Sequence, residues 1–270
     1  MTKAFLDTTI IVNLLPKRGE PHTRCKAALG RFNKVQFPEY ALKEMKAGPL
    51  FAWIWLHNKC VVERSFERVI RGLHSMANSR RKNLPNTALE AIAETGSSRR
   101  MQMGRLVEKY GPTATEDAVH CDRMRLGLRR RITSAWSDRR SFGAELIYPI
   151  SCFPNDDLRM KSGMIDCLPL SCDSKRGCDI AVLMGRQPKD VAALRTVAQS
   201  DQSRRENVKR SQVLRHILRT PNRPINDSQC RSIGDAVFAL LAPEDSVVLT
   251  TNIRDHLPLA DAVRKRAEEP

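Results

Sequence analysis

Residues 1–15 read "MTKAFLDTTIIVNLL". The run "KAFLD" has the apolar density of a buried strand, yet it ends in Asp7, with two threonines and a second apolar run behind it. No Lys or Arg stands beside Asp7 in sequence. A carboxylate at the end of a buried strand needs a cap, a cationic partner or a metal. What surrounds Asp7 therefore depends on what the rest of the chain brings to the same place.

Working outward, a helix is predicted from about Thr8 to the "LPKRGEP" loop, and a second over roughly 22–33. "KVQFP" reads as a short strand, and "EYALKEMKAG" as a helix stopped by Gly48 and Pro49. Near the other terminus, "DAVFALLA" reads as a helix, "PED" as a turn and "SVVLTT" as a buried strand, with a short helix near 258–267. Strands alternating with helices at both ends imply an α/β fold with a parallel sheet. The centre differs. Residues 60–140 are helical and arginine-rich, 141–180 irregular and cysteine-bearing, and 188–219 helical and basic. The domain expectation is one sheet split into residues 1–58 and 226–270, with a large, basic, mostly helical insertion over 59–225 lying over its mouth.

A chain of 270 residues that is 41% hydrophobic can bury one large core. Its apolar runs, such as "LFAWIWL" at 50–56, fall well short of the roughly 20 residues of a membrane span. With no signal-like N-terminus, a cytoplasmic protein without membrane contact is expected. Eight cysteines in that setting do not indicate a disulfide scaffold. The excess of 46 Lys+Arg over 30 Asp+Glu gives a net charge of +16, and its clustering points to a polyanion, nucleic acid in preference to membrane.

In open parallel sheets, functional groups gather at the carboxyl ends of the strands. Asp7 ends the first strand, Glu44 lies on the helix after a short strand, and Asp235 opens the helix before the last one. "TTNIRD" places Asn252 and Asp255 just beyond that last strand. Carboxylates brought together repel unless some are protonated or a cation is shared. Oxygen donors without thiolate or imidazole suit Mg²⁺ or Mn²⁺, which can support phosphodiester cleavage. That favours a metal-dependent nuclease over serine, cysteine or zinc hydrolases. Each acid also has a plainer reading: Asp7 and Asp235 as helix caps, Glu44 as a solvated helix residue, Asp255 as a local partner of Arg254 or a cap after Pro258.

The blocks "FLDTTIIVNLL", "ALKEMKAG" and "GDAVFALLAPEDSVVLTTNIRDH" resemble, in order, those of PIN-domain ribonucleases, over roughly 1–58 and 226–270. That resemblance implies a PIN-like parallel-sheet α/β fold, an Mg²⁺ or Mn²⁺ site and cleavage of RNA, often by the toxin of a toxin–antitoxin pair. It makes Asp7, Glu44 and Asp235 the first three acids, with Glu39 a competitor for the Glu44 role. The fourth position, usually Asp or Asn, is Asn252, with Asp255 three residues on. Asp7, Glu44, Asp235 and Asn252 are the expected metal ligands, and Asp255 joins the three acids in the expected catalytic set. Asp179, which opens the helix in "GCDIAVLMG", is a candidate extra acid. An antitoxin or other protein partner, an antiviral role and a homo-oligomer are open. The alternatives are an RNA-binding scaffold of the same fold that does not cut, and a small-molecule phosphatase, which leaves the basic stretches unexplained.

An acidic pocket repels a phosphate backbone, so cations must hold the substrate elsewhere. Expected RNA contacts are Arg123, Arg125, Arg129, Arg130 and Arg131 in "RMRLGLRRR", and Arg204, Arg205, Lys209 and Arg210 further on. With aromatics at 5%, base stacking is scarce, and backbone recognition is favoured over sequence reading. Cys152, Cys167, Cys172 and Cys178 lack the two-residue gap of a zinc knuckle and are expected to be free thiols. His57, His120 and His216 are expected at the surface or in the core, and not as metal ligands.

Overall fold

The computed structural model describes residues 3–15, 19–77, 83–96, 108, 111, 115–137, 144–152, 158–166 and 177–270. The chain forms two compact units. The first comprises Met1–Glu44, Asp138–Asn155 and Pro169–Pro270, and the second Met45–Ser137 and Asp156–Leu168. The division differs from the sequence boundaries at 59 and 226. The basic helices Pro188–Ser200 and Arg205–Arg219 belong to the sheet-bearing unit.

That unit is α/β. Five strands form one parallel sheet in the order β3-β2-β1-β6-β7, with β1 Lys3–Leu6, β2 Lys34–Pro38, β3 Glu145–Ile147, β6 Ser246–Leu249 and β7 Arg266–Glu268. β1 lies in the middle, in register with β6 from Lys3↔Ser246 to Leu6↔Leu249. Buried on both sides, the two strands "KAFL" and "SVVL" read as continuous apolar runs without alternation. The chain leaves β1 for β2 on one side and returns to β6 on the other, so the carboxyl end of β1 is the point where the strand order switches direction. Asp7 sits there. Phe238, on the helix Gly234–Leu241, packs edge-on against Phe5 and Tyr40 with ring centroids 6.3 and 5.7 Å away, which seats that helix on the sheet.

Two strands lie in sequence that shows no strand pattern. β3 is three residues long; beside its parallel pairing with β2, Glu145 meets Lys34 at 2.7 Å and accepts from the Gln36 amide on that strand. β7, "RAE", follows the helix Ile253–Ala262 as an edge strand, in residues read as the end of a helix.

The helical unit contains Phe51–Glu63, Phe66–Ala77, Asn83–Gly96 and Glu116–Ser137, together with a hairpin of β4 Arg159–Lys161 and β5 Met164–Asp166. Gly48 and Pro49 do not stop a helix. Pro49 lies within a π-helical turn, Lys46–Leu50, which runs straight into Phe51–Glu63. The wider turn changes the hydrogen-bond pattern where proline has no N–H to give. Asn58 holds the hairpin by imitating a strand: its amide donates to the Ile165 carbonyl at 2.9 Å and accepts from the Ile165 N–H at 2.8 Å. Among the described residues no helix is long and apolar enough to cross a membrane.

Candidate active site

Asp7 is the N-cap of the helix Thr8–Leu14, and its Oδ1 accepts from the Thr8 N–H at 2.6 Å. The plainer reading of this residue is therefore part of the answer. Its Oδ2 also accepts from Thr9 Oγ1 at 2.7 Å and from Thr250 Oγ1, at the end of β6, at 2.8 Å. The buried imidazole of His256 stands 3.6 Å from the same oxygen.

Glu44 reaches the mouth from the helix Glu39–Met45, and its Oε2 accepts from Thr8 Oγ1 at 2.8 Å. It lies against Gly234, where a Cβ would stand 2.2 Å from Glu44 Oε1. Glycine is what lets the helix carrying Asp235 approach the Glu44 carboxyl. Burial, then the charges of Asp7 and Asp235, push the Glu44 pKa up to about 8. Its competitor Glu39 is taken up elsewhere, accepting from the Ile150 N–H at 2.7 Å.

Asp235 lies in the first turn of its helix without capping it. Its Oδ2 pairs with the Arg210 guanidinium, and its Oδ1 is 3.4 Å from His256 Nε2. Burial works against the Asp235 charge, but bonding to His256, with the charges of His256 and Arg210, outweighs it and holds the pKa below the ordinary value. Burial likewise opposes the charged form of His256. Its bond to Asp235 and the nearby charges of Asp7, Asp235 and Glu44 more than offset that, so its pKa is raised.

Asn252 precedes the helix Ile253–Ala262; its N–H donates to Thr250 Oγ1 at 2.9 Å and its side-chain amide to Asp255 Oδ2 at 2.9 Å. The helix starts before Pro258, so Asp255 falls in its first turn, and its charged partner is Arg204 and not Arg254. Burial opposes the Asp255 charge too, and the bonds from Arg204 and Asn252 prevail, lowering its pKa. Asp7, Glu44, Asp235, Asn252 and Asp255 thus belong to one hydrogen-bonded and ion-paired cluster within the sheet-bearing unit. Asp179 instead serves the turn after β3, accepting from Ser151 Oγ at 2.9 Å and from the Ser151 and Cys152 N–H groups.

Several residues read as RNA contacts are committed internally. Arg210 is buried on Asp235 and Asn207, and Arg204 pairs with Asp255. In the helical unit, the Arg131 guanidinium lies 4.1 Å over the Trp53 ring, with its pKa lowered by burial to about 10, and Arg125 pairs with Asp122 at 2.7 Å. The periodicity of Glu116–Ser137 turns Arg131 towards Trp53, whereas Arg129 and Arg130 stay exposed and Arg123 half-buried. Arg205 and Lys209 are exposed on the helix that carries Arg210. Cys152 and Cys178 are buried and in no disulfide, and Cys167 and Cys172 lie outside the described residues. His57 is buried on Asn58, His120 packs against Phe66, and His216 sits beside Thr220.

His256, Arg210 and Gly234 were not assigned to the acid site from sequence, and Thr250, in the "TTNIRD" turn that closes it, was given no role. His256 follows Asp255 directly, and its position in the first turn of a helix at the strand mouth was the available signal. The oxygen donors suit a hard divalent cation, and the pressure on Glu44 is of the kind that such a cation relieves. As they lie, no three His, Cys, Asp or Glu side chains among the described residues are arranged to hold a metal ion. Comparison with protein-family models, curated proteins and solved structures gave no match to the chain.

Two outcomes are predicted. Glu44 has a folded-state pKa near 8 against an ordinary 4.5, so its contribution to stability is full below about 4.5 and is lost as pH rises to about 8. His256, also raised, acts in the same direction from about 6.5 upward. Thermal stability of the metal-free protein should therefore fall between pH 5 and 8, and Glu44→Gln should flatten the fall; an unchanged slope would mean that Glu44 is not the group responsible. Gly234→Ala would gain about 1 kcal/mol in an open helix. Here chemical denaturation should show a loss of about 1–3 kcal/mol, because the methyl group must push the Glu44 carboxyl aside.

Proposed function

We propose that this chain is a metal-dependent endoribonuclease of PIN-like fold that cleaves RNA phosphodiester bonds at the Asp7, Glu44 and Asp235 carboxylates. The observation that carries this reading is their convergence at the switch point of a parallel sheet, close enough for two of them to raise the pKa of the third. A parallel α/β sheet flanked by helices is compatible with the PIN-like fold that the sequence blocks resemble.

Asp7, Glu44, Asp235 and the Asn252 amide would hold Mg²⁺ or Mn²⁺, and Asp255 would complete the catalytic set. Such an ion, when bound, supplies Lewis acidity and an activated water. The chain's own part is positional. Three donors fix the Asp7 carboxylate in one orientation, so it is presented without a further ordering cost. Glu44 keeps a proton at neutral pH, which it can release when positive charge arrives. Arg205 and Lys209, together with Arg129 and Arg130 of the helical unit, are exposed cations available to phosphates. In this reading the protein acts in the cytoplasm as a growth-arresting toxin or antiviral effector, with an antitoxin or other protein partner.

A second reading, an RNA-binding scaffold that does not cut, draws on Arg204, Arg210 and His256. These already pair with the acids, as they would in a purely structural network. Labelled RNAs of varied sequence incubated with Mn²⁺ separate the two. The nuclease reading predicts cleavage by the wild type. In Asp7→Asn and Asp235→Asn it should fall by at least the roughly 10–100-fold that loss of an outer-shell partner costs a metal site. RNA left equally intact by all three proteins would leave the scaffold.

A further inference from the structure

The acid cluster contains two guanidinium groups and an imidazole. Arg210 pairs with Asp235, Arg204 pairs with Asp255, and His256 stands between Asp7 and Asp235. Against them stand the carboxyl groups of Asp7, Asp235 and Asp255. Asp235 and Asp255 are thus each met by a guanidinium without any bound ion. A divalent cation entering the cluster would meet two guanidinium groups across a few ångströms of partly buried space, where like charges repel far more than they do in water. A guanidinium does not lose its proton, so it relieves that repulsion only by moving away.

Arg204 has room to do so, and Arg210 has a hydrogen bond still to gain. Arg204 precedes the helix Arg205–Arg219 and is partly exposed, with 27% of its side chain accessible. Arg210 lies on the same helix, buried, with Nη1 donating to Asn207 Oδ1 at 2.8 Å, while its buried Nε has no hydrogen-bond partner. A buried donor left unmade is costly, so the pairing with Asp235 does not use all that this guanidinium can offer.

We infer that Arg204 and Arg210 are displaceable counter-ions that gate the acid site, so that a divalent cation must win Asp235 from Arg210 and enter against the charge that Arg204 holds at the neighbouring Asp255. This rests on the metal-site reading above and adds to it a regulatory element within the same chain. The test is a calorimetric titration of Mn²⁺ alone into the full-length wild type, Arg204→Gln, Arg210→Gln and Arg210→Lys, each checked for folding by circular dichroism.

Both glutamine variants should bind Mn²⁺ at least about tenfold more tightly than the wild type, equivalent to about 1.4 kcal/mol. Arg210→Lys, which keeps the charge, should stay within about threefold of it. Detectable binding in the glutamine variants and none in the wild type would support the gate equally. A wild type that binds Mn²⁺ and glutamine variants that bind it no better would overturn the gate and leave the metal site standing. No binding by any of the four would overturn both. If Arg210→Gln does not fold, Arg204→Gln decides, because a partly exposed residue ahead of the helix is not needed for the core.

Discussion

A buried carboxylate that must be satisfied without water governs the mouth of this sheet. Asp7 finds its donors in the Thr8 N–H and in the hydroxyls of Thr9 and Thr250. Those hydroxyls are not idle on their other side. Thr9 Oγ1 accepts from the Thr251 N–H, Thr250 Oγ1 from the Asn252 N–H, and Thr8 Oγ1 donates to Glu44. One charge therefore laces the end of β1 to the turn after β6 and to the helix bearing Glu44. A valine at position 250 would fill similar space but give Asp7 one donor fewer, a loss felt fully only in a site this dry.

The apolar packing behind the acids sets how close they come. Phe238 lies edge-on to Phe5, Tyr40 and His256, so the ring that seats its helix on the sheet also places the imidazole. Gly234, one residue before Asp235, removes the methyl group that would hold Glu44 away. The result is stored repulsion: three carboxyl groups share a partly buried space, and the pKa of one of them is pushed up to about 8. Histidine and two arginines offset the rest. Salt bridges this poorly hydrated are weak evidence of stability. Their value in this account is to keep acids together that would otherwise separate.

Elements whose residues are dictated by local chemistry were legible in the sequence. β1, β2 and β6 are short apolar runs bounded by turn residues, and Thr8–Leu14 follows a cap in plain view. Asp7, Glu44, Asp235, Asn252 and Asp255 could be collected because parallel sheets bring strand ends to one side. Elements fixed by distant partners were not. β3 depends on pairing with β2, far away in sequence, and the π turn at Pro49 overrides a local stop signal. Side-chain direction was the other blind spot. In the run Arg129–Arg131, a single 100° step per residue separates solvent from the Trp53 ring, and charge composition carries no such information. Arg204 and Arg210, read as phosphate contacts, are cations with an internal use.

The central claim is that the proton on Glu44 occupies a place meant for a metal charge. Calorimetric titration of Mn²⁺ near pH 7, repeated in buffers of different ionisation enthalpy, counts the protons released as the ion binds. With the Glu44 pKa near 8, the account predicts release of about one proton per ion, carried mainly by Glu44 and lost in Glu44→Gln. Binding of Mn²⁺ with no proton release, or with the same release in Glu44→Gln, would contradict it.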